Sequence, residues 1–193
     1  MNRREAVQSI TILTGGLLSV STIGIFLNGC TGSTKTGKGI QFTEDEQNTV
    51  SRMADIIIPS TKIPGALNAG VPTFVIMMMQ QCYPLQNQDS FHKGLGTFDH
   101  ICTQKYSGHF LKLSKEKQVQ AVKYLDGKIL GKNNPAGQTD ESLSIFYRDL
   151  KGLIILGYYS SKPGATEALR YIPVPGHYDG CIPYHTGDKE WAT

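Results

Sequence analysis

No stretch of this chain alternates apolar and polar residues with the period of two that a half-buried strand needs, and no block of sequence repeats. The first absence argues against a sheet, the second against solenoids and propellers. Charge is sparse as well. Only 18% of residues are charged, the formal net charge is +3, and the lysines and arginines are dispersed rather than clustered, which excludes a nucleic-acid-binding surface. There is no dinucleotide fingerprint and no C-x-x-C-H for haem attachment, and no serine sits in a nucleophile elbow. The nearest approach to a phosphate loop, residues 32–39, lacks the final hydroxyl that would hold magnesium and has no strand in front of it. Its Gly, Ser, Thr and Lys content reads as a flexible tether.

The sequence opens with an address. Arg3 and Arg4 form a positive start, and residues 10–27 follow without a charge. That run is long enough for a membrane span, but Thr, Ser and Gly interrupt it and no basic stop-transfer flank follows. Leu27-Asn28-Gly29-Cys30 reads instead as a lipobox, with Cys30 lipidated and cleavage just ahead of it. Asn2-Arg3-Arg4-Glu5-Ala6-Val7 resembles a twin-arginine export signal, which is read by a receptor. The expected organisation is a signal peptide over 1–29, a lipidated tether over 30–42 and one helical domain over 43–193, located in the periplasm and anchored to a membrane. Outside the cytoplasm disulfides are permitted, and the cysteines beyond Cys30 are an odd set of Cys82, Cys102 and Cys181.

The body reads as all-α, a bundle of about five helices. Thr43-Glu44-Asp45-Glu46 is a capping box, followed by Val50, Met53, Ala54 and Ile57 at helical spacing and stopped by Pro59. Pro72 fits the first turn of a second helix over 71–82, whose apolar run from Phe74 to Met79 predicts a central, fully buried element. Phe91, Leu95, Phe98, Cys102, Tyr106, Phe110 and Leu113 predict one long third helix. Ser114 caps a fourth, with Val119, Val122, Leu125 and Ile129 on one stripe. Leu143, Phe146, Leu150, Leu153 and Ile154 form a fifth, entered from Thr139 or Asp140 and ended by Gly157. In this arrangement Cys82 and Cys102 lie too far apart to be bridged, so both are expected to be buried thiols.

After Gly157 the periodicity stops. Pro163, Pro173, Pro175 and Pro183 remove backbone donors and push their neighbours toward extended geometry, which predicts an irregular tail over 157–193. Tyr158, Tyr159, Tyr171 and Tyr178, with Arg170, are residue types enriched at interfaces, so the tail either docks on a partner or packs onto its own domain. Its His177, Asp179, Cys181 and His185 are zinc-compatible and close in sequence. The competing reading is an ordered loop in which Asp179-Gly180 turns the chain. On the former, the chain is a stand-alone lipoprotein that binds a metal or catalyses a reaction there. His92, His100 and His109 are expected to be solvated or locally bonded.

Three patches, in order, resemble the small subunit of membrane-associated gluconate 2-dehydrogenase, subunit 3. They are Met53-Ala54-Asp55-Ile56-Ile57-Ile58-Pro59 with Thr61, then Pro64-Gly65-Ala66 to Ala69-Gly70-Val71-Pro72 with Phe74, and the tail from Gly157-Tyr158-Tyr159-Ser160-Ser161 through Leu169-Arg170-Tyr171 to Pro173-Val174-Pro175-Gly176, Tyr178 and Gly180-Cys181. Ile76 departs from the family, which has an acidic residue after the phenylalanine. The resemblance implies a non-catalytic subunit with no cofactor, metal or catalytic residue of its own. Its partner would be a large FAD-carrying subunit of the glucose-methanol-choline type, a cytochrome c subunit carrying haem often completing the complex. It implies export, stabilisation and anchoring of the catalytic chain, with gluconate, glucose or fructose among the substrates of related complexes. On this reading Tyr158, Tyr159, Arg170, Tyr171, Pro173, Pro175, Gly176, Tyr178 and Cys181 meet the partner.

Overall fold

A computed structural model of the chain describes residues 39–131, 140–174, 176–177, 181, 183 and 185–192. Five α-helices make up the body: α1 Glu44–Ile57, α2 Val71–Cys82, α3 Leu85–Tyr106, α4 Lys115–Leu130 and α5 Glu141–Tyr159. The described residues contain no β-strand, and the all-α reading stands. Cys30 and the residues read as an export signal lie outside the described residues.

Local chemistry places the helix starts where the sequence predicts. The Thr43 hydroxyl accepts from the Glu46 amide, and the Glu46 carboxylate accepts from the Thr43 amide at 2.8 Å, the reciprocal bonds of a capping box. Ser114 accepts from Lys117 N and Asp140 from Leu143 N in the same way. The chain is already fastened ahead of the first cap. Phe42 is buried edge-on against Phe91 and beside the His92 ring, and Ile40 N donates to the buried Gln88 side chain at 2.9 Å. Residues 39–42 are therefore packed against the domain, where the sequence placed the end of a tether.

α5 is the hub. It packs most extensively on α3 and also touches α1, α2 and α4. Phe91, Phe98 and Phe110 from the α3 side meet Phe146 of α5 in a chain of ring contacts, all four fully buried. Close approach of α3 and α5 depends on Gly94, since a Cβ there would stand 2.3 Å from the Ser142 carbonyl oxygen and 2.4 Å from Phe146 Cβ. Gly157 does the same for α2, where a Cβ would stand 2.5 Å from the Phe74 ring. It is thus a packing residue inside α5, and the helix runs on to Tyr159 rather than ending at the glycine.

Two other helices differ from expectation. α3 stops at Tyr106 because Ser107 takes a left-handed conformation, and residues 110–112 form a separate 3-10 turn. Asp99 draws the chain back, accepting from Phe110 N at 2.8 Å and pairing with His109 Nδ1 at 2.6 Å, which lets Phe110 enter the core from outside the helix. α2 is not buried all round. Val71, Val75 and Met79 are sealed, whereas Met77 faces outward. α2 is a wall of the bundle, and α5 holds the centre.

Candidate partner-docking surface

The end of α5 is turned by side chains rather than by glycine. The Ser160 and Ser161 hydroxyls donate back to the Leu156 and Tyr158 carbonyls, and Ser161 Oγ then accepts from Gly164 N at 3.2 Å. Residues 164–168 make a single π-type turn closed by Leu169 N on the Gly164 carbonyl at 3.0 Å. The tail is thus helical for one turn past Pro163, the proline lying where its missing donor is tolerated. Gly164 is required there, as a Cβ would stand 1.9 Å from the Tyr158 carbonyl oxygen.

The chain then returns on itself. Arg170 and Trp191 form an isolated parallel bridge, in which Arg170 N donates to the Glu190 carbonyl and Ala192 N to the Arg170 carbonyl, each at 2.8 Å. The guanidinium lies 4.7 Å from the Trp191 ring centroid, and Asp188 approaches it at 3.9 Å. Lys189 adds a bond to the Glu167 carbonyl. Arg170 is therefore engaged within its own chain, as the clasp of the tail. Trp191 was missed in the sequence; a lone tryptophan after Gly187, itself at φ 100°, was the available signal.

The residues singled out from the sequence separate into groups. Tyr158 is inside the domain, its hydroxyl donating to the Pro64 carbonyl at 2.9 Å, and burial raises its phenol above the ordinary value. This corrects its assignment to a partner surface: it ties α5 to the α1–α2 connection. Tyr159, whose ring meets that of Tyr158 edge-on, is exposed, as are Tyr171, Ile172, Pro173, Val174 and Gly176. Cys181 is an exposed free thiol. Pro175 and Tyr178 lie outside the described residues, as does Asp179 of the metal-like set. Among the described residues no three ligating side chains come together, and His185 is held by Asp188, which accepts from its amide at 2.9 Å.

Among the remaining cysteines and histidines, His92 Nε2 is buried without a hydrogen-bond partner among the described residues. Cys102 is buried and its thiol is pushed up to about 12 by desolvation and then by Asp99, so it is inert at neutral pH. Cys82 is exposed at the end of α2, not buried as expected, because that helix end lies at the surface. His92 pairs with Glu46 at 2.8 Å, and His100 is exposed.

Outside the tail, α5 and α2 also carry exposed large apolar side chains. Ile155, Leu156 and Tyr159 are 42%, 54% and 44% exposed, and Met77 is 49% exposed. Gly152, Ile155, Leu156 and Tyr159 recur at the three-and-four spacing of one helix face. Phe74 against Gly157 fixes the side of α2 that meets α5, and Met77 follows one turn along that side. At the other end of the seam Asp149 lies close enough to Tyr83 to raise its phenol, after burial. Asp149 Oδ2 is buried without a hydrogen-bond partner, and desolvation raises the carboxyl above its usual range.

The gluconate 2-dehydrogenase subunit 3 family matches residues 44–176, just over two thirds of the chain. The chain belongs to this family. No curated protein and no solved structure matches it. Membership makes the chain a subunit of a multi-subunit dehydrogenase. The matched span takes in all five helices and the Arg170 side of the clasp, and ends before Cys181 and Trp191.

Proposed function

We propose that this chain is the non-catalytic small subunit of a periplasmic, membrane-attached sugar or sugar-acid dehydrogenase, which exports, steadies and anchors a separate FAD-carrying subunit of the glucose-methanol-choline type. Catalysis and FAD belong to that companion, and haem to a cytochrome c subunit where one is present. The family match over the whole helical body carries the reading, and the exposed tail supports it. Tyr159, Tyr171, Pro173, Val174 and Gly176 offer aromatic and φ-restricted surface, while the Arg170–Trp191 clasp limits the entropy lost on docking. Cys181 lies at or near the contact, as an interchain disulfide or a packed thiol. Cys30 supplies the anchor, several acyl chains holding a protein far better than one.

The test is co-expression of the tagged full chain with the flavoprotein encoded beside it. Wild type is expected to recover the flavoprotein, and a chain ending before Pro173 to lose it. Full recovery by the shortened chain would contradict the tail's role. Non-reducing gels of Cys181→Ser separate a covalent bond from packing, and Cys30→Ser is expected to release the exported protein from membranes.

A further inference from the structure

From Leu153 to Tyr159, α5 is apolar on every side. Leu153, Ile154, Gly157 and Tyr158 face the core, and Ile155, Leu156 and Tyr159 face out. A helix apolar all round is a buried helix, and here nothing in the chain's described residues covers its outer side. Met77 on the neighbouring α2 adds a further exposed apolar group, and a flexible thioether adapts to a partner's shape. Gly152 presents no side chain, and a Cβ at that position would meet nothing within 4 Å, so another backbone can come close. Asp149 marks one end of the strip, on the side of α5 that Leu156 shares two turns later. Its Oδ2 is buried with no donor among the described residues, while the residue as a whole stays partly exposed at the surface.

We infer that the outer face of α5 from Gly152 to Tyr159, together with Met77, is a second docking surface, covered in the assembled dehydrogenase by an apolar segment of the companion subunit that brings a lysine or arginine to Asp149. The inference rests on the subunit reading above but uses none of the tail residues beyond Tyr159. Membership of a subunit family supplies a partner, and the unpaired carboxylate specifies its charge. Docking lays the apolar row of one element along another, with a charge-assisted bond at one end fixing the register.

The decisive experiment co-expresses the tagged full chain, as wild type, Met77→Lys/Leu156→Lys or Asp149→Asn, with the other subunits of its dehydrogenase. Recovery of the companion is measured, together with thermal unfolding of each chain alone. The double variant is expected to unfold as wild type does and to recover at least about tenfold less companion. Asp149→Asn is expected to raise the unfolding temperature of the lone chain and yet weaken the complex several-fold. Such opposite signs are not produced by a merely structural role. Unchanged recovery with a normally folded double variant would overturn the surface, and unchanged recovery with Asp149→Asn would overturn the cationic contact. If light scattering shows that the lone chain dimerises and the double variant is a monomer that still forms the complex, the face belongs to a second copy and the inference fails. Wild type that recovers no companion at all removes the subunit reading and this inference together, whereas failure of the variants alone leaves the subunit reading standing.

Discussion

In the first half of α5 the outward positions Glu141, Ser144, Ile145 and Arg148 are mostly polar, whereas in the second half the same register brings Gly152, Ile155, Leu156 and Tyr159 to the surface. The start of the helix is also satisfied: Asp140 caps it, and Tyr147 donates to Asp126, which also accepts from Lys151. Lys151 and then Tyr147 hold the Asp126 carboxyl below its usual range, against the effect of burial. One turn beyond Ile145, Asp149 stands with an oxygen unpartnered. A helix that follows the ordinary rules over one half and departs from them over the other has two tasks. The first half builds the domain, and the second half also offers a surface to something else.

The sharpest way to break this comparison is to damage the building half. Phe146→Ala removes the ring on which Phe91 and Phe98 converge and is expected to cost about 4 kcal/mol in urea unfolding. Gly94→Ala forces α3 away from Ser142 and Phe146 and should cost about 3 kcal/mol, because backbone is what the new methyl meets. A loss under about 1 kcal/mol in either would mean that α3 and α5 do not pack as described.

The two carboxylates sharpen it further. Tyr147→Phe strips one donor from Asp126 and should cost about 1 kcal/mol at neutral pH. Because the folded Asp126 has a lowered pKa, its stabilisation is present above the ordinary carboxylate range and is lost as pH falls through the folded value. Asp149 runs the other way. Its raised folded pKa means that stability falls as pH rises from the ordinary carboxylate value through the folded one. Asp149→Asn should therefore flatten the unfolding midpoint against pH above the acid range, and Asp126→Asn should flatten it below. Identical profiles for the two would erase the distinction. The smallest effect belongs to Leu156→Ser, expected to stay within about 0.5 kcal/mol of wild type when the chain is alone.

Much of the body could be read directly from the sequence. Caps at Thr43, Ser114 and Asp140 and the stripes of α1, α4 and α5 follow from periodicity and side-chain bonding within a few residues, which is information the sequence carries locally. What failed depended on distant contacts. Phe110 keeps the spacing of α3, but Asp99 and the left-handed Ser107 redirect the chain before it. Gly157 resembles a helix stop and is instead a close approach to Phe74. Tyr158 and Tyr159 are adjacent and chemically alike, yet one is buried and one exposed, because successive helix positions point about 100° apart. Arg170 reads as an anchor for a partner until Trp191 is found stacked on it from twenty-one residues away. The apolar outer face was visible in residues 153–159, just as in the 74–79 run. In the 74–79 run the inference of complete burial failed on one side, since a single chain shows only half of an interface.

Methionine oxidation followed by mass spectrometry tests the central claim most directly, on the lone chain and on the assembled dehydrogenase. Met77 is exposed while Met53 and Met79 are sealed in the core, so the three serve as probe and internal controls. Rapid sulfoxide formation is expected at Met77 in the lone chain, slowed at least about tenfold in the complex, with Met53 and Met79 slow in both. Met77 oxidising equally fast in the complex and in the lone chain would contradict it.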